Sequence, residues 1–192
     1  MRDLATWSRW LHIYLSMFSF IIVLFFSVTG LTLNHVDWFP ESTVVSELKG
    51  GVNASWVSVA DTAKIPKLDI VEQLRANHSI KGQLNDFRID EEEISISFQG
   101  PGYTADFFVN RADGKYELTE TKMGIIAVIN DLHKGRDTGK SWSWVIDFSA
   151  IFMIVISVTG LILLLFLKKK RTNGMLWLAI GGIVAWVFYY FV

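Results

Sequence analysis

"WLHIYLSMFSFIIVLFFSVTGLTLN", residues Trp10 to Asn34, runs 25 positions without an Asp, Glu, Lys or Arg. A helix needs about 20 apolar residues to cross the hydrocarbon core of a bilayer. Two more runs share this property, the 20 residues Phe148–Leu167 and the 18 residues Met175–Val192. Hydrophobic types make up 51% of the 192-residue chain and charged types only 19%, a balance too apolar for an ordinary soluble domain. The pattern predicts three transmembrane helices. Trp177, Trp186, Tyr189 and Tyr190 suit the interfacial ends of the third. The first run is too long for the h-region of a signal peptide and no small-x-small site follows it, so it reads as a retained anchor.

Lys and Arg set the orientation. Arg2, Arg9, Lys168, Lys169, Lys170 and Arg171 stand against the single acid Asp3, a net of +5. Between Val36 and Asp147 there are 12 basic and 18 acidic residues, a net of −6. The positive-inside rule places the N-terminus and the 168–174 loop in the cytoplasm and the long middle segment outside. The chain holds no cysteine, which excludes disulfides, iron–sulfur clusters and covalently attached c-type haem. His12, His35, His78 and His133 are the only imidazoles.

In the middle segment "DIVEQLRANH" has helical spacing at Ile70, Val71 and Leu74, with Asp69 expected as its N-cap. Four short runs follow: "QLNDFRID", "EISISFQ", "YTADFFVN" and "KYELTET". Turn-like "DEEE", "GPG" and "ADGK" separate them, so they read as a small antiparallel sheet. "MGIIAVINDLHKG" reads as an amphipathic helix with Met123, Ile126 and Ile129 on one face, suited to lie along the membrane interface. The expected fold is a membrane α-helical bundle of three transmembrane helices, with an α+β extracytoplasmic domain inserted between helices 1 and 2. Its parts are a first helix with a short cytoplasmic tail (1–35), the α+β domain (36–122) and an interfacial segment (123–142). A second helix (143–167), a basic loop (168–174) and a third helix (175–192) complete it.

His78 is expected to meet the last carbonyls of its helix or water. Asp147 is expected to cap helix 2 or to pair with Arg136 or Lys140. Trp142 and Trp144 are expected as interfacial anchors.

One signature occurs twice. "SVTGLTL" spans Ser27–Leu33 and "SVTGLIL" spans Ser157–Leu163. A Leu-His pair precedes each, Leu11-His12 and Leu132-His133. Small residues in a membrane helix admit another helix or a flat cofactor. His12 and His35 are 23 residues apart, about 34 Å of straight helix, so they stand at opposite faces of the bilayer. The expectation is that His35 and His133 converge beside Gly30, and that His12 meets the notch at Gly160. Neutral imidazole ligates haem iron, and b-type haem needs no cysteine. Lys134, Arg136 and Lys140 are candidate partners of the haem propionates.

Taken together, "SRWLHIYLSMFSFIIVLFFSVTGLTLNH" and "DLHKGRDTGKSWSWVIDFSAIFMIVISVTGLIL" resemble the PepSY-associated transmembrane helix family over essentially the whole chain. The resemblance implies that the middle segment is a PepSY-like domain. It also implies that His12, His133 and His35 are haem-iron ligands, since larger members resemble haem-containing ferric-siderophore reductases. This chain has fewer helices than those reductases and no cytoplasmic flavin or nicotinamide domain.

The function expected is that of an inner-membrane haem b protein, an electron-transfer subunit or ferric-reductase-like oxidoreductase. It would carry electrons to an extracytoplasmic flavoprotein or ferric chelate. A quinol is a candidate donor, a homodimer the expected assembly, and no nucleic-acid partner is expected. The alternative is a membrane-anchored PepSY binding or regulatory module, acting in protease inhibition or protein interaction without redox activity. A transporter subunit is disfavoured, because apart from His12 the helices hold no buried charge to mark an ion path.

Overall fold

The computed structural model describes residues 2–40, 42–167 and 169–191, with the side chains of Arg2 and Asp3 excepted. Lys168 of the expected basic loop therefore lies outside the described residues. Three helices are long and apolar enough to cross a membrane: α1 (Arg2–Asn34), α5 (Gly139–Phe166) and α6 (Arg171–Phe191). At 28 residues α5 is about 42 Å long, more than the ~30 Å hydrocarbon core. It begins four residues ahead of the expected start at 143 and nine ahead of the charge-free run that opens at Phe148. Likewise α6 starts at Arg171 and takes in residues expected as loop. A backbone that satisfies its own hydrogen bonds gains by staying helical through the headgroup region.

The chain divides into two compact units, residues 26–144 and residues 1–25 with 145–192. In the first, five strands form one antiparallel sheet in the order β1-β5-β4-β3-β2. They are β1 (Val44–Gly51), β2 (Gln83–Ile89), β3 (Glu93–Gly100), β4 (Tyr103–Asn110) and β5 (Lys115–Lys122). Burial alternates along β3 and β4, as period-two side-chain placement requires. The register sets Ile94 opposite Val109, Ile96 opposite Phe107 and Phe98 opposite Ala105, all buried on one face. A short turn of helix, α2 (Ala54–Val57), and the longer α3 (Lys67–His78) belong to the same core through Val57, Ile70, Val71 and Leu74.

Two expectations need correcting. Pro66, not Asp69, stands at the N-cap of α3; Asp69 lies in the first turn, where its charge still complements the helix dipole. The side chain of His78 does not turn to the helix carbonyls. Its Nε2 lies 2.6 Å from the Tyr116 hydroxyl, with the Tyr116 ring edge-on and the Phe107 ring tilted against it. Gly50 on β1 leaves room for that hydroxyl, since a Cβ there would collide with it.

The amphipathic segment forms α4 (Ile125–Lys134), ended by Gly135 in the left-handed region at φ +68°. Trp142 closes the α4–α5 turn by donating its indole N–H to the Leu132 carbonyl at 2.7 Å.

In the second unit, Phe18 of α1 meets Phe152 of α5 at 5.2 Å between ring centres. A Cβ at Gly174 of α6 would run into Leu164 of α5. The outward faces carry exposed Phe, Leu, Ile and Trp side chains, as a lipid-facing surface does.

Candidate functional site

Each histidine of a Leu-His pair meets the Thr-Gly of the other copy of the signature. In residues 26–144, Nδ1 of His133 lies 2.5 Å from Thr29 Oγ1. The ring stands edge-on to Phe26 at 5.1 Å, and a Cβ at Gly30 would sit 3.7 Å from its Cε1. In the other unit, Nδ1 of His12 lies 3.2 Å from Thr159 Oγ1 and 3.1 Å from the Ile156 carbonyl oxygen. There a Cβ at Gly160 would sit 3.1 Å from Cε1 of His12.

The carbonyl partner assigns the tautomer of His12. A carbonyl oxygen only accepts, so His12 donates to Ile156 through Nδ1–H. The Thr159 hydroxyl sends its proton back to its own helix, to Val155 at 2.8 Å or Ile156 at 3.0 Å, and turns a lone pair to the imidazole. At the other crossing the Thr29 hydroxyl lies 2.5 Å from His133 Nδ1 and 3.4 Å from the Phe26 carbonyl oxygen. With Nδ1 turned to oxygen at both crossings, Nε2 is the ring nitrogen left for a ligand. Neither Nε2 has a hydrogen-bond partner among the described residues. Neither is sealed in, because the buried unpartnered side-chain atoms there are Gln73 Oε1 and Arg75 Nε.

An imidazole held by Nδ1–H donation to oxygen, with Nε2 open, suits axial ligation of iron. The Nδ1 hydrogen bond fixes the ring and raises the basicity of Nε2. His12 and His133 fit a b-type haem on these grounds. His35 does not in this arrangement. It precedes the short 3-10 turn Val36–Trp38, stacks on Trp38 at 3.8 Å and 11°, and has Asn34 Nδ2 at 3.3 Å from its Nε2. Beside Gly30 the hydrogen-bond partner of His133 is Thr29, and no hydrogen bond or ring contact joins it to His35 among the described residues. No group of three or more His, Cys, Asp or Glu converges there either.

Lys134 is exposed, whereas Arg136 is engaged by Asp131 at 2.5 Å. Asp131 is 3% exposed and also accepts the Gly102 N–H at 2.8 Å. It thus ties the β3–β4 turn to α4, the helix that carries His133. Asp147 lies well inside α5 and does not cap it. Sequence reasoning missed Asp131 and the two threonines, although the repeated Ser-x-Thr-Gly already marked the latter.

A family model described as PepSY_TM-like matches residues 6–192, the whole span from helix 1 to helix 3. The chain belongs to the PepSY_TM-like family. It is a membrane protein of that family, three candidate spans around a five-stranded sheet domain. Neither the comparison with curated proteins nor that with solved structures finds a match.

Proposed function

We propose that this PepSY_TM-like protein is a haem b carrier that moves electrons across the inner membrane to an extracytoplasmic acceptor, a flavoprotein or a ferric chelate. The observation that supports it is the matched placement of His12 and His133, each with Nδ1 against a protein oxygen and Nε2 without a hydrogen-bond partner among the described residues. Bound haem would supply reversible one-electron storage inside the low-dielectric bilayer. The chain's part is to hold each imidazole in one orientation, through Thr159 and Ile156 at one crossing and Thr29 at the other. Gly30 and Gly160 keep the flank of each ring clear. By the positive-inside reading His12 belongs to the cytoplasmic side and His133 to the outer side. Lys134 is the basic side chain offered to a propionate.

A second reading has its own observation. The same hydrogen bonds lock one helix to another, which is all that an anchor for a binding domain would need. An absorption spectrum of the full chain, purified in detergent after haem-replete expression, separates the two. The carrier reading expects a Soret band whose intensity falls in His12→Ala and in His133→Ala. A colourless protein that still folds leaves only the anchored binding module.

A further inference from the structure

A cavity of about 360 Å³ opens where the chain has left α1 and before it enters α4. Phe39, Pro40, Met123, Ile125 and Ile126 give it apolar walls, and Asn130 of α4 reaches it. Its size lies in the range of small-molecule sites, about 300–1,000 Å³. Among the described residues no Lys, Arg, His, Asp or Glu lines it. An anionic headgroup would find no counter-charge among them, which favours an uncharged occupant.

Asn130 is the polar feature of the cavity that lies deepest, at 6% exposure. Its Oδ1 lies 2.7 Å from the Thr32 hydroxyl, while its amide nitrogen has no hydrogen-bond partner among the described residues. That nitrogen is not among the sealed unpartnered atoms, so it opens on the cavity. An accessible amide donor in an apolar wall exchanges water for an acceptor on a ligand, a net gain of about 1 kcal/mol, or about fivefold in affinity. The Thr32 hydroxyl has two acceptors within reach, Asn130 Oδ1 and the Thr29 carbonyl at 2.9 Å, and one proton to give. The amide can therefore turn over. With the proton on Asn130 it shows its N–H to the cavity; with the proton on Thr29 it shows its oxygen. One side chain thus meets a carbonyl in one state and a hydroxyl in the other.

We propose that this cavity binds the head ring of a lipid-soluble quinone or quinol. The ring is flat and uncharged, carries a carbonyl or a hydroxyl at its edge, and reaches the protein through the bilayer. The cavity lining begins at Val36, two residues past the first candidate span. Asn130 also stands one helical turn before His133 on α4, so the cavity borders the histidine crossing. The choice of a redox-active ring rests on the carrier reading above, whereas binding itself needs no haem.

The test uses the full chain in nanodiscs, purified both without haem and after haem supplementation, with radiolabelled decylubiquinone as the probe. Saturable binding of about one probe per chain is expected in both preparations. Asn130→Leu should weaken it about five- to tenfold, the worth of one hydrogen bond. Ala127→Phe, which fills the cavity, should abolish it. An azido-quinone should label wild-type protein in the segment 123–130, a readout that needs no variant. Purely non-saturable partitioning overturns the proposal, as does displacement of the probe by equimolar dioleoylglycerol, which would make this a lipid-chain site. Binding to a protein with no Soret band sinks the carrier reading and keeps this one; a Soret band without saturable binding does the reverse.

Discussion

A methyl group at Gly160 would stand 3.1 Å from Cε1 of His12, tight enough that the ring must give by a few tenths of an ångström. At Gly30 the corresponding distance to Cε1 of His133 is 3.7 Å, ordinary van der Waals contact. The two crossings therefore differ in how tightly glycine is required. Gly160→Ala should push the His12 ring off the Ile156 carbonyl and cost about 1–3 kcal/mol, as overpacking does. Gly30→Ala should cost well under that. Thermal unfolding of the two variants side by side checks this, and equal losses would contradict the geometry.

Much of the fold was legible because burial leaves a period. Ile94, Ile96 and Phe98 alternate with polar neighbours, and Ile70, Val71 and Leu74 recur at helical spacing. β1 was not legible because it buries no side chain. Its exposed Val44, Val45 and Leu48 carry no inward face to read, and it is held by its ladder with β5. The histidine crossings announced themselves through the repeated Ser-Val-Thr-Gly, which placed His12 with Gly160 and His133 with Gly30. What the repeat did not show was the hydroxyl. A threonine's role as acceptor depends on where its own proton goes, and only the three-dimensional arrangement of Val155, Ile156 and Phe26 carbonyls decides that. Asp131 was hidden for a different reason. A carboxylate on an amphipathic helix is read as solvent-facing, yet here the Gly102 N–H and Arg136 make burial affordable.

The histidines should separate by haem content. His133→Ala and His12→Ala should each remove one haem's worth of Soret absorbance under the proposed function. His35→Ala should leave it unchanged, because His35 is spent on Trp38 and Asn34. Pyridine haemochrome assay per chain is the measurement. A loss in His35→Ala equal to that in His133→Ala would restore the pairing of His35 with His133 as iron ligands.

The sheet domain should lose stability at high pH. Burial pushes Tyr103 up to about 12 from 10.0, helped by its hydrogen bond to Glu120. A raised phenol favours the folded state fully below pH 10 and loses that contribution as pH rises toward about 12. Denaturant unfolding at pH 9 and pH 11.5 should show a fall that Tyr103→Phe reduces. At Glu120 burial opposes ionisation, but hydrogen bonds from Lys122 and Tyr103 outweigh it and hold the carboxyl below its ordinary value. Its contribution is present above the unfolded value and is lost as pH falls through the folded one. Glu120→Gln should therefore flatten the acid limb of the same titration.

Charge asymmetry makes a topological claim. With +5 on the tail and the 168–171 cluster and −6 between Val36 and Asp147, a reporter inserted after Arg171 should act as cytoplasmic. One inserted after Gly114, in the β4–β5 turn, should act as external. The reversed pattern would exchange the sides assigned to His12 and His133.

Asp131 should couple the sheet to the histidine. Its carboxylate is 3% exposed, takes the Gly102 N–H at 2.8 Å and pairs with Arg136 at 2.5 Å. Gly102 sits at φ +64° in the β3–β4 turn, and α4 two residues on from Asp131 presents His133. Asp131→Ala leaves the Gly102 N–H without its acceptor and should cost about 1–3 kcal/mol. Arg136→Ala leaves the buried carboxylate without its cation but with its amide donor. The guanidinium is more than half exposed and water screens the pair, so this loss should be smaller, about 1 kcal/mol or less. Asp131→Asn keeps an acceptor for Gly102 and should fall between the two. A double-mutant cycle over Asp131 and Arg136 isolates the pair. Amide exchange across α4 then reports the consequence for the site: Asp131→Ala should speed exchange through His133, while the buried strands β3 and β4 keep their protection. Exchange in α4 unchanged from wild type would mean that the helix is held by Thr32 and Thr29 alone, and that Asp131 serves only the turn.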